Sequence, residues 1–188
     1  NRNEVLLWPK GWNFDAYTNV LRDAKYTFSL GYTAVLTVVC TIISMTMTVL
    51  CAFPLIFDQL RGRKIINGII VLTMYFSAGT IPHYLMMKNL NLLNSVWVLI
   101  IPNCLSVFNM IIMRSFFFGI PESLREAAEI DGCSTSGTFF KIVLPLSKAM
   151  LGVIMLYYVV GHWNNYSTAL YYTPQSTDYW PLQMVIRN

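Results

Sequence analysis

The chain has 188 residues, of which 55% are hydrophobic and only 12% charged, with a net charge of +4 and a mean hydropathy of +0.51. Soluble domains carry about 25% charged residues and about 45–50% apolar ones, so this composition argues against a water-soluble globule. The thirteen Lys and Arg residues do not describe a nucleic-acid binder, because they lie between apolar runs and not on one basic face. Basic residues at the ends of such runs contact lipid headgroups and fix topology. Cys40, Cys51, Cys104 and Cys133 share no metal-ligand spacing and read as small apolar core residues. No metal site is expected.

Charge is absent from Tyr26 to Phe57, Ile65 to Met87, Asn89 to Met113 and Ala149 to Thr177. A bilayer accepts such stretches and rejects charges placed in them. Residues 1–27 read as an extramembrane arm, whose Trp8, Trp12 and Tyr17 suit either headgroups or a soluble partner. A first span is expected over about 28–57, with hydroxyls at Thr33, Thr37, Thr41, Ser44, Thr46 and Thr48. These either bond their own preceding turn or meet neighbouring helices. Pro54 should kink or end that helix.

A second span is expected over about 65–87, interrupted by Gly79, Pro82 and His83, and a third over 95–117, holding Pro102, Asn103 and Asn109. Gly79, Pro82 and Pro102 are the hinge candidates, because a Gly/Pro break frees backbone groups that only protein or a wet cavity can satisfy. A fourth span is expected over 149–171, and residues 181–188 read as the start of a further one. His83 and His162 are assigned to polar packing. Four spans in series put the loops 58–64 and 118–148 on one side, and 1–27, 88–94 and 173–180 on the other. Arg61, Arg63 and Lys64 stand against the single Lys88, with Arg114, Arg125, Lys141 and Lys148 on the same side. The positive-inside rule therefore places 118–148 in the cytoplasm, although Arg2, Lys10, Arg22 and Lys25 of the arm weigh the other way.

The 118–148 segment is the informative loop. Pro121 and Glu122 suit a first helical turn, Ser123 to Asp131 is a run of helix formers, and Gly132 is the natural stop. Ser134 or Thr135 can cap a second helix reaching about Val143, after which Pro145 opens the next span. The expected turn presents Ala127, Ala128 and Gly132 beside Glu126, Glu129 and Asp131, with Leu124 and Ile130 as apolar anchors. It is either a docking element or a helical loop on headgroups. Lipid-surface helices are normally basic, whereas this loop holds four carboxylates and three bases, which favours a protein partner.

Glu126-Ala127-Ala128, then Gly132, then Ile142 and Leu144-Pro145 resemble the cytoplasmic EAA-loop signature of binding-protein-dependent ABC importer permeases. Arg61-Gly62-Arg63-Lys64, Leu92-Leu93-Asn94, Arg114 to Pro121 and Gly161-His162-Trp163-Asn164 are similar to the carbohydrate branch of that family, in particular its smaller maltose-type subunits and those for complex oligosaccharides. The resemblance implies an all-α polytopic membrane bundle with six spans, of which four are complete here, so sequence is expected to be missing at both ends. It implies coupling to an ATPase through Glu126, Ala127, Ala128, Asp131, Gly132, Leu144 and Pro145. It implies a second permease subunit, a cytoplasmic ATPase dimer and an extracytoplasmic solute-binding protein as partners, in a bacterial cytoplasmic membrane. No phosphate-binding loop occurs in the chain, so ATP and Mg are expected on the ATPase and no catalytic residue or cofactor here. Asn103, Asn109, Trp163 and Asn164 are candidates for the solute path or, equally, for hydrogen bonds between helices. Cys133 departs mildly from the small residue usual there, and Asn165 stands where an acid is frequent. A sugar is the expected solute; a peptide or amino-acid permease of the same architecture and a non-transport scaffold are the alternatives.

Overall fold

A run of hydroxyl and apolar residues without charge builds the longest helix of the structure, α1, over Ala24–Ala52. The computed structural model describes residues 24–175 and 180–187, so most of the arm expected over 1–27 lies outside the described residues. At 1.5 Å per residue α1 is about 44 Å long, enough to cross a hydrocarbon core of about 30 Å with a tilt. Pro54 has no amide to continue it: α1 stops at Ala52, and a 3₁₀ turn runs from Pro54 to Ile56.

The other apolar runs are broken helices. The second is α2 (Arg63–Tyr75) and α3 (Thr80–Asn89), bent by 114°, and the third is α4 (Trp97–Asn103) and α5 (Val107–Phe118), bent by 44°. Then come α6 (Glu122–Ile130), α7 (Thr135–Leu146), α8 (Lys148–Trp163), α9 (Ser167–Tyr172) and α10 (Leu182–Arg187), with 79° between α7 and α8. Among the described residues one helix is long and apolar enough to span a membrane alone, and up to four spans result if each bent pair counts as one. No strand occurs among the described residues, and the fold is the all-α polytopic bundle expected.

Each break has a local cause that corrects the expected run. Between α2 and α3 the chain unwinds over residues 76–79, where Gly79 takes φ +85° and ψ 174°, a backbone region that is essentially glycine-only. Pro82 does not make this break. It sits in the first turn of α3, where a missing amide costs nothing. Pro102 lies in the 3₁₀ turn that ends α4, and Ser106 restarts the helix by accepting a bond from the Asn109 amide at 3.4 Å. The fourth run is not continuous from 149 to 171, for α8 ends at Trp163 and α9 begins at Ser167. Nor does Pro145 open it. Pro145 lies in the last turn of α7, behind a π turn at Phe139–Val143, and the knee falls at Ser147, whose Oγ donates to the Val143 carbonyl at 2.6 Å.

α1 is the central post, packed chiefly on α8, α5 and α10. Its polarity is inverted relative to a soluble protein. Ser29, Thr33, Thr37, Thr41, Ser44 and Thr48 are buried, while Phe28, Val35, Val38 and Ile42 are exposed. Thr33 Oγ1 bonds its own turn at Ser29 O (2.7 Å) and also accepts from the Leu182 amide of α10 (2.8 Å). Ser44 and Thr48 reach other helices instead: Thr48 Oγ1 lies 2.6 Å from the Tyr158 hydroxyl, which takes the Ser106 amide at 3.1 Å. Both alternatives open for the hydroxyl stripe are therefore used.

Two apolar clusters cap this polar middle. One joins Phe53, Met113, Phe117, Phe139, Val143 and Ile154; the other joins Met87, Val98, Leu99, Ala169 and Tyr172. At the first end Arg63 donates to Ile56 O (3.0 Å) and pairs with Asp58 (2.6 Å), and Arg114 donates to Leu55 O (3.4 Å). At the second the Asn94 amide donates to Tyr172 O (2.9 Å), His83 Nδ1 meets the Tyr172 hydroxyl (2.6 Å), and Lys25 lies 6.0 Å from the Trp180 ring. The loops 58–64 and 118–148 thus gather at one end, and 88–94 with 173–175 at the other.

Tyr158→Phe removes the hydroxyl that ties α8 to α1 and to the α4–α5 break. Interhelical hydrogen bonds in membranes average about 0.6 kcal/mol and reach about 1.7. With the Ser106 amide left unpaired as well, the expected loss is about 1 kcal/mol, read as a lower midpoint of denaturation in mixed micelles.

Candidate coupling turn and transport cavity

The helix α6 owes its limits to residues at its ends. Pro121 stands at its N-cap and Glu122 in its first turn. At the other end Gly132 takes φ +76°, its amide donates to Glu129 O (3.0 Å), and the Cys133 amide donates to Ala128 O (2.9 Å). That pair of bonds around a left-handed glycine is a Schellman stop. Ser134 then caps α7 by accepting the Gly137 amide at 3.2 Å.

The turn faces outward from the first end of the bundle. Glu126, Ala127, Glu129, Asp131 and Gly132 are exposed, as are Leu124 and Ile130, the latter 86% exposed. The expected surface is corrected at one residue: Ala128 is buried against the fold and presents nothing. Leu144 packs against the apolar cluster, and Pro145 is exposed within α7. These two shape the knee that carries the turn and stand apart from the exposed surface itself. α6 rests on α7. A cleft of about 650 Å³, walled by Phe53, Phe57, Arg125, Glu129 and Phe139, separates it from the end of α1. Arg125, absent from the expected site, folds back over the Phe57 ring at 5.4 Å with Glu122 Oε1 3.3 Å away, and its Nε finds no partner among the described residues. Its position three residues from Glu122 was the available signal.

A second cavity, of about 290 Å³, lies in the polar middle between the α4–α5 break and α8. It brings together Asn103 and Asn109 of the expected path with His162 and Asn165, which were not assigned to it. Trp163 and Asn164 are not in its wall. The Trp163 carbonyl accepts from the Gln183 side chain, and Asn164 is exposed with its amide on Val160 O (2.9 Å). The signal for His162 lay in helical spacing, since Tyr158 and His162 share one face of α8; Asn165 reaches the cavity from the break after Trp163, where helical spacing does not apply. Ser44 Oγ lies 3.1 Å from Asn103 O and 3.1 Å from His162 Nε2. The hydroxyl has one proton, so it donates to only one of these two neighbours, and the His162 tautomer sets which. The His162 ring stacks on Tyr158 at 5.7 Å and 9°.

Residues 29–186 match the binding-protein-dependent transport system inner membrane components. The chain belongs to that family. It is 41% identical over 186 residues to protein LplC of Bacillus subtilis, covering 99% of this chain and 63% of that one. It is 42% identical over 184 residues to the polygalacturonan/rhamnogalacturonan transport system permease protein YtcP of the same organism, covering 98% and 64%. It resembles a crystal structure of a bacterial ABC transporter involved in the import of the acidic polysaccharide alginate, with a TM-score of 0.90 at 34% identity, over 95% of this chain and 64% of that one. This family member spans less than two thirds of the length of these relatives.

In this family member the Gly132 stop holds a left-handed backbone with no atom within 4 Å of an added Cβ, so strain and not collision sets the cost of a substitution. Gly132→Ala is expected to weaken the turn by about 1 kcal/mol, and Gly132→Asn by less. Hydrogen exchange at the Cys133 amide checks this, with about fivefold faster exchange expected for the alanine variant.

Proposed function

We propose that this chain is the permease subunit of an ATP-driven importer and forms, with a second permease, an alternating-access path for a sugar or oligosaccharide. The observation that carries the reading is the exposed, acidic, Gly132-stopped helix α6 held off one end of an apolar bundle. Its carboxylates suit Arg and Lys on a partner, and Ala127 allows close backbone approach. The partner proposed is a cytoplasmic ATPase dimer, with Glu126, Ala127, Asp131 and Gly132 at the contact, Ala128 closing the Schellman stop behind it, and Leu144 and Pro145 setting the knee. Basic residues crowd the same end, which supports its cytoplasmic placement by the positive-inside rule. An extracytoplasmic solute-binding protein is proposed at the opposite end, around residues 88–94 and 173–175.

The second permease is proposed to cover α2 and α3. No residue of α2 is buried, and the residues from Val71 to Pro82 are all exposed, including the unwound stretch 76–79. Unpaired backbone does not face lipid and is tolerated only against protein or water. Sugar is supported by the relatives, two of which are named for polysaccharides or their import. Gly79 and Pro102, at the two breaks, are proposed as the places where the spans bend between packings of similar free energy.

Gly132→Trp should abolish solute uptake in reconstituted vesicles while the complex remains inserted and assembled with its binding protein. Uptake at the wild-type rate by that variant removes the docking role of the turn.

A further inference from the structure

The helix α6 meets the rest of the bundle through few of its side chains. Of the residues Glu122–Ile130 only Arg125 and Ala128 are not exposed, and a separation of three puts them on one helical face. Ala128 is small and buried. Arg125 is the long one, its side chain 16% exposed. An arginine extended into water satisfies all of its donors. Here Nε is buried without a partner among the described residues, and the guanidinium lies 5.4 Å over the Phe57 ring. An orphaned donor is a cost, so the ring contact and not hydrogen bonding sets where this side chain lies. The pair with Glu122 Oε1 at 3.3 Å joins two residues of α6 itself. It aims the guanidinium without tying the helix to anything else.

The tie is the ring. Phe57 follows the 3₁₀ turn at the end of α1 and meets Phe53 edge-on at 5.0 Å. Phe53 in turn meets Phe117 of α5 at 6.3 Å and Phe139 of α7 at 4.6 Å. Arg125 therefore reaches, beside a cleft of about 650 Å³, the aromatic junction where α1, α5 and α7 meet. We infer that Arg125 is a positioning residue for energy coupling: acting through Phe57, it makes the end of α1 follow α6. The inference rests on the importer reading given above and deepens it.

The cleft is what gives the tie its consequence. α6 rests on α7, which leads through the knee to α8. With open space between α6 and the end of α1, the helix can tilt on α7 while α1 stays behind. Arg125 on Phe57 closes that freedom, so a partner's push on the turn is delivered to α1 and α5 as well as to α8. A guanidinium suits the task because one planar cation stacks on a ring and pairs with a carboxylate at once, which a lysine ammonium does not.

The test uses the intact importer, with both permeases, ATPase and binding protein, in proteoliposomes. Spin labels on Gln59→Cys and Ser123→Cys, both exposed positions, go into a chain whose own cysteines are replaced. They report the distance from the end of α1 to α6, with and without ATP and vanadate, and need no solute. One narrow distance is expected in both states with Arg125 in place; Arg125→Ala should broaden it and let it change between them. Uptake of maltotriose, arabinotriose or trigalacturonate per ATP hydrolysed should fall about fivefold in Arg125→Ala, the factor that one cation–π contact is worth, while hydrolysis stays near wild type. Phe57→Leu should reproduce both effects and decides the matter if Arg125→Ala fails to assemble, whereas Phe57→Tyr, which keeps the ring, should show neither. The double variant Arg125→Ala/Phe57→Leu should be no worse than either single one. An unchanged distance and unchanged uptake per ATP in Arg125→Ala overturn the positioning role and leave the importer reading standing. An equal fall in hydrolysis and uptake does the same, because it marks a docking contact only. A wild-type chain that assembles with no ATPase overturns the importer reading and this inference with it.

Discussion

Everything in this structure follows from one constraint: in lipid, a polar group has no partner except another part of the protein. The stripe from Ser29 to Thr48 on α1 is where that constraint acts. Ser29, Thr33, Thr37, Thr41, Ser44 and Thr48 turn inward while Val35, Val38 and Ile42 turn outward, the reverse of what water selects, and exposed Thr46 bonds its own turn. Ser44 joins Asn103 O and His162, and Thr48 joins Tyr158, which also holds the Ser106 amide. A bridging bond in a membrane stabilises by about 0.6 kcal/mol on average, while an unmet polar group costs several. The penalty, more than the gain, fixes the rotation of α1 and so the place of every helix packed on it.

The same constraint gives meaning to the breaks. Straight helices satisfy their own backbones and need no neighbour; bent ones do not. Residues 76–79 unwind on an exposed face, Ser106 restarts α5 with its amide on Tyr158, and Ser147 takes the Val143 carbonyl at the knee below α8. The bend at Ser106 is answered from another helix by Tyr158, the knee at Ser147 by that residue's own hydroxyl on the preceding turn, and the bend at 76–79, as proposed, by the second permease. Bends held this way move together with what holds them, which is the property alternating access uses. The knee is the mechanical link between the exposed Gly132 turn and the span that carries Tyr158 and His162.

Much of this was legible in the sequence, for identifiable reasons. Charge-free runs locate the membrane segments because a charge in hydrocarbon is expensive whatever the fold. Pro54 and Gly132 mark helix ends because an absent amide and an absent Cβ act locally. What escaped was everything that needs a direction. Hydropathy is a scalar, so it gave the second run as one span with a break and not the 114° between α2 and α3. Pro82 was read as a breaker beside Gly79 because its neighbours in sequence were known and its place in a helical turn was not. Ala128 was assigned to the docking surface because composition does not say which side of α6 faces the bundle. Trp163 and Asn164 were preferred over His162 for the same reason, since a face is defined only once Tyr158 is known to point inward; Asn165 enters from a break that helical spacing does not describe.

The central claim is that the acidic turn lies in the cytoplasm, at the end where Arg63 and Arg114 tie the loops to α1. A membrane-impermeant maleimide tests it most directly, applied to a variant in which Cys40, Cys51, Cys104 and Cys133 are replaced and exposed Ser136 becomes the single thiol, Ser136→Cys. Labelling in inside-out vesicles and protection in right-side-out vesicles is the result expected. Labelling in intact right-side-out vesicles contradicts the account, because it places the turn on the side where no ATPase is found.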